Sequence, residues 1–128
     1  MTPNPVALHL EEPLSIDEAR HAARAMASQR REAENTLQRL VEEAAQAESE
    51  YRKAFSEAFI HATGTAGERE AKAKAASAGE CYQRDVSAGM VKVGTERLRG
   101  LEGERSMLKS LVDWSSRLRM DEREYIAG

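Results

Sequence analysis

His61-Ala62-Thr63-Gly64-Thr65-Ala66-Gly67 is the one stretch between Ser15 and Met120 that is built to turn a chain. No proline interrupts the residues on either side, and both flanks are rich in Ala, Glu, Arg, Leu and Lys. Gly64 suits the position just past a helix, where a left-handed residue closes off the last carbonyls. Thr65-Ala66-Gly67-Glu68 has the capping-box pattern that starts a new helix. The stretch therefore predicts an all-α chain: a long antiparallel helical hairpin, or coiled coil. Helix one is expected over residues 15–62, a turn over 63–66 and helix two over 67–120, with an extended or disordered arm before (1–14) and a tail after (121–128).

Working outward, Ser15-Ile16-Asp17-Glu18 reads as a second capping box, with Leu14 placed for a hydrophobic staple. Asp17 and Glu18 also suit the positive end of the helix dipole. Apolar and small residues then recur at alternating spacings of three and four: Ile16, Ala19, Ala23, Met26, Ala33, Leu37, Leu40, Ala44, Ala47, Tyr51, Ala54 and Ala58. Arg30 is the poor fit. A heptad seam sustained this far argues for a coiled coil. Ala27, Val41 and Phe55 widen the stripe, which implies more than one partner helix and hence a helical-bundle oligomer.

The second helix has an expected seam of Ala73, Ala76, Gln83, Met90, Gly94, Leu101, Leu108, Leu111 and Leu118. Val91, Leu98 and Val112 lie alongside. Gly89, Gly94, Gly100 and Gly103 fall inside it, each costing about 1 kcal/mol against alanine in an exposed helix. Folding about Gly64–Thr65 sets Leu40 against Gly89, Met26 against Gly103, and Tyr51 against Ala78 and Gly79. On that register large residues meet small ones; otherwise the glycines merely loosen the helix.

Composition narrows the function. The chain has 128 residues, 32% of them charged and 5% aromatic, and a net charge of −3. Its single cysteine, Cys81, excludes an intramolecular disulfide and fits a reducing cytoplasm. No apolar run approaches a membrane span. His9, His21 and His61 make no i, i+4 pair and Cys81 has no CxxC partner, so no metal or other cofactor is expected. Glu11-Glu12, Glu42-Glu43 and Glu48/Glu50 read as solvated faces, since acid–base chemistry needs a desolvating cleft. These features argue against catalysis.

Charge is distributed unevenly. Residues 20–31 and 97–119, which the hairpin brings together, hold Arg20, Arg24, Arg30, Arg31, Arg97, Arg99, Arg105, Lys109, Arg117 and Arg119 against only Glu102, Glu104 and Asp113. Arginine favours bidentate pairing with phosphate or carboxylate, and such a cluster is a candidate surface for a nucleic-acid backbone. Trp114 and Tyr125 lie close enough in sequence to stack on bases. The same arginines would equally pair with glutamates across a coiled coil, and Trp114 would close the seam against Leu14 and Ile16. The binding residues expected are Arg20, Arg24, Arg30, Arg31, Arg99, Arg105, Lys109 and Trp114.

The segment from Tyr51-Arg-Lys-Ala-Phe through the Gly64 turn to Glu68-Arg-Glu-Ala-Lys72, with Leu98-x-x-Leu101 and Leu108-x-x-Leu111-Val-Asp-Trp-Ser-Ser-Arg-Leu118, resembles small helical-hairpin proteins of bacteriophages and prophages. The resemblance covers residues 51–118. It implies a phage accessory role and a link to single-stranded DNA or to a recombinase. With the composition, stripe width and charge layout above, the expectation is a non-enzymatic protein of a bacterial host's cytoplasm that forms homo-oligomers, stays off the membrane and partners single- or double-stranded DNA or a phage or host replication or recombination protein. The alternative is an adaptor or host-factor inhibitor acting through Glu42, Glu43, Glu48 and Glu50 or the C-terminal tail.

Overall fold

The helices begin where the caps put them. Ser15 Oγ accepts the Glu18 amide at 3.0 Å, and α1 runs Ile16–His61. Thr65 Oγ1 accepts the Glu68 amide at 3.2 Å, and α2 runs Ala66–Ala76. Each serine or threonine satisfies an amide that has no partner inside the helix. Helix α3 then runs Ala78–Ala127. The computed structural model describes residues 13–127, with side chains as far as Asp121. The expected N-terminal arm lies, up to residue 12, outside the described residues, as does the side chain of Tyr125.

Two expectations about helix limits change. The stretch read as one helix over 67–120 is interrupted at Ser77, which has φ −105° and ψ 14°. The Ser77 hydroxyl donates to the Ala73 carbonyl at 2.7 Å while the Ser77 amide donates to the same oxygen at 3.0 Å. A hydroxyl competing for a ladder carbonyl bends a helix. At the far end, the segment read as a tail continues α3 to Ala127.

The chain divides into two compact units. The unit Asn35–Glu96 contains the reversal. Gly64 has φ +115°, and a Cβ there would meet the Glu68 side chain, so only glycine sits here without strain. Side chains of α2 take up carbonyls at the end of α1 and in the turn: Arg69 donates to Phe59 O through Nη2 at 3.0 Å and Nε at 3.3 Å, and Lys72 Nζ donates to Thr63 O at 2.8 Å. The Arg69 guanidinium also lies 4.4 Å from the Phe59 ring centre. The seam of this unit is small and partly polar. Leu40, Ala47, Ala73 and Ser77 are buried. Arg84 stacks 4.2 Å from the Tyr51 ring and approaches Glu48 at 3.7 Å. Gly94 lies against α1: a Cβ there would sit 3.2 Å from both Leu37 Cδ1 and Leu40 Cδ1.

This overturns part of the expected seam and register. Ala76, Gln83 and Met90 are exposed, and the inward positions are Ser77, Arg84 and Val91, one residue further on. Leu40 meets Gly94, not Gly89. Gly79, Gly89 and Gly103 have open space where a Cβ would stand, so none of them receives the large residue assigned to it. The spacing pattern misplaced the seam because the inward positions include polar groups that find partners: Ser77 bonds to Ala73, and Arg84 to Glu48 and Asp85.

The other unit comprises Met1–Glu34 with Arg97–Gly128. Its core is Leu14, Ala22, Met26 and Leu108, with Leu111 and Val112 packed against it. Leu14 is clamped to α3: its amide donates to the buried Ser115 Oγ at 2.9 Å, and Arg119 Nη1 donates to its carbonyl. Ala22 is inward, while the expected Ile16 and Ala23 are exposed. Leu14 supplies the apolar end of the core in place of Ile16.

Candidate partner-binding groove

In the Met1–Glu34 and Arg97–Gly128 unit, α1 and α3 leave a groove of about 820 Å³. Its walls follow from helical spacing: residues three and four apart share a face. Ala19, Ala23 and Ala27 line the α1 side and, being small, leave room. Met26, Leu101, Leu108 and Val112 are its large apolar residues. Arg30, Arg31, Arg105 and Lys109 are its cations, with Glu34 and Glu102 interspersed.

Arg30 is spoken for. Its Nε lies 3.0 Å from Glu34 Oε1 and its Nη2 2.9 Å from Glu102 Oε1. That explains how a charged residue occupies a seam position. Among the described residues, Arg31, Arg105 and Lys109 make no ion pair or hydrogen bond. The same holds for Arg20 and Arg24, which continue along α1 on the face of Arg31. Three or more unpaired cations beside an apolar trough can form charge-assisted bonds with an incoming anion at little cost.

Of the eight residues expected from the sequence, the groove brings together Arg30, Arg31, Arg105 and Lys109. Arg20 and Arg24 are exposed outside its lining, and Arg99, also outside it, has an interaction partner. Trp114 is 41% exposed and does not line the groove; the neighbouring Ser115 is what meets Leu14. The sequence reading missed the apolar trough itself, whose signal was the run Ala19, Ala23, Ala27 opposite Leu101, Leu108 and Val112.

Elsewhere, the Arg84 guanidinium is shifted from its ordinary value. Its hydrogen bond to Asp85 raises it above the usual guanidinium value, against partial burial and with help from Cys81, Asp85 and Glu48. Among the described residues no His, Cys, Asp or Glu cluster could hold a metal, and no helix is long and apolar enough to cross a membrane. Comparison with protein-family models, curated proteins and solved structures finds no match to this chain.

Proposed function

We propose that this is a non-enzymatic binding protein that docks a macromolecular partner in the α1–α3 groove. The partner is an amphipathic helix of another protein, apolar on one side and acidic along its flanks. The observation that carries this reading is the pairing of an apolar trough with unpaired Arg31, Arg105 and Lys109. A helix lays its apolar face into such a trough, and flanking carboxylates meet the cations. The resemblance of residues 51–118 to phage accessory proteins suggests that the partner belongs to DNA replication or recombination.

Nucleic acid is the second reading, favoured by the row Arg20, Arg24 and Arg31. It is the weaker one. Among the described residues no aromatic side chain lines the groove to stack a base, and a chain with pI ≈ 5.7 lacks the strongly basic balance usual for such proteins. The acidic mid-section is a poorer docking surface: Glu48 is held by Arg52 and Arg84, and Glu50 by Gln46.

The test is retention of partners from bacterial lysate by wild type and by a variant with Arg31→Glu, Arg105→Glu and Lys109→Glu. A protein that binds wild type and is lost by the variant supports the reading; retention unchanged by the triple reversal overturns it. Anisotropy with single- and double-stranded DNA at low salt runs in parallel. Steeply salt-dependent binding there, with no protein retained, replaces the protein partner by nucleic acid.

A further inference from the structure

On the Asn35–Glu96 unit, α3 turns apolar residues to solvent. Tyr82 is 66% exposed, Val86 42%, Met90 46% and Val93 63%. Gly89 lies among them with open space around its Cα. Residues 82, 86, 89 and 93 are spaced four, three and four apart, so they form a single stripe of the kind that seams two helices together. A contiguous apolar stripe on a helix whose inward side is already packed marks a contact surface.

The charges beside the stripe identify the occupant. With Val86 and Val93 as one set of seam positions and Tyr82 and Gly89 as the other, the residues just before Val86 and Val93 are Asp85 and Lys92. In an antiparallel pair of identical helices, Tyr82 faces Val93 of the second copy and Val86 faces its Gly89. That same register sets Asp85 opposite Lys92 of the second copy, and Lys92 opposite its Asp85. Both residues are exposed; Asp85 pairs with Arg84 through Oδ1 at 3.2 Å, and its side chain stays 66% accessible. Lys92 makes no ion pair among the described residues. The pattern is thus complementary to its own reverse, which a two-fold interface requires and a different partner would not. Gly89 meeting Val86 lets the two backbones approach closely.

We propose that α3 pairs with α3 of a second copy about a two-fold axis, through Tyr82, Val86, Gly89 and Val93, flanked by reciprocal Asp85–Lys92 ion pairs. The stripe is short, and small interfaces form weak dimers.

Sedimentation equilibrium of the full chain from low micromolar to millimolar concentration tests this. A monomer–dimer equilibrium is expected, and a monomer throughout overturns the proposal. Val86→Asp places two carboxylates in the interface and raises the dissociation constant at least about tenfold. A dimer that tolerates Val86→Asp uses another surface and also overturns it. Asp85→Lys and Lys92→Asp each weaken the dimer, while the double exchange restores it. Failure of the double exchange to recover contradicts the antiparallel register. Val86, Asp85 and Lys92 are exposed, so unchanged helical circular dichroism shows that each variant is folded.

Discussion

The two units join the same pair of helices by different means. The unit holding Leu14 uses a core of large apolar side chains, Leu14, Met26 and Leu108, and leaves a trough beside them. The unit holding the turn packs small residues, Ala47, Ala73, Ser77 and Gly94, and finishes its seam with Arg84 over Tyr51. Large residues spend apolar area on internal cohesion. Small residues allow close approach. Both units also hold outward apolar residues, Ile16, Met107 and Trp114 in the first and Tyr82, Val86, Met90 and Val93 in the second. The difference shows that on a helix pair the outward-facing apolar residues can say more about partners than the inward-facing ones say about stability.

A buried residue of the first unit and an outward residue of the second should differ most strongly. Leu108→Ala removes a buried side chain from the large-residue core and should cost about 2–4 kcal/mol in chemical denaturation. Val93→Ala in the other unit should change monomer stability by less than about 0.5 kcal/mol, because the residue is exposed. Equal costs would refute the contrast.

Ser115→Ala comes next. It leaves the Leu14 amide buried without its acceptor and should cost about 1–3 kcal/mol. Ser115→Thr, which keeps a hydroxyl, should recover part of that loss. Arg69→Ala in the turn-bearing unit removes a bidentate bond to Phe59 O together with a ring contact, for an expected loss of about 1–2 kcal/mol. Arg69→Lys should restore little of it, since a lysine cannot fork onto one carbonyl and stack at once.

The smallest effects separate the glycines. Gly103→Ala meets open space and should stabilise by about 0.5–1 kcal/mol. Gly94→Ala should gain less or lose, because Leu37 and Leu40 must yield to the new methyl group. Thermal melts of the two variants side by side decide it.

Much of this fold could be read from the sequence, for reasons that are local. Ser15, Gly64 and Thr65 act through bonds within one turn of chain, so their roles show in four-residue patterns. The heptad run Met26, Ala33, Leu40, Ala47 shows because an apolar residue recurs every seven positions. Arg30 stood out as the seam's misfit, and its pairing with Glu34 and Glu102 accounts for it. The seam of α3 was not legible. Heptad spacing placed Gln83 and Met90 in the seam with Val91 only alongside it, and nothing local marks Arg84 as inward until Tyr51 and Glu48 are opposite it. Ser115 was missed for the same reason: its partner is 101 residues away in sequence. The basic cluster was found by counting charges, but the trough beside it depends on the register of two distant helices.

That register underlies both proposed surfaces, since a one-residue slip of α3 would turn Val91 outward and Met90 in. A disulfide tests it most directly. In a Cys81→Ser background, Leu37→Cys with Gly94→Cys should form a bond within one chain under mild oxidation, because a Cβ at Gly94 lies 4.0 Å from Leu37 Cα. Leu40→Cys with Gly89→Cys should not. Rapid closure of the second pair, or failure of the first, would contradict the account.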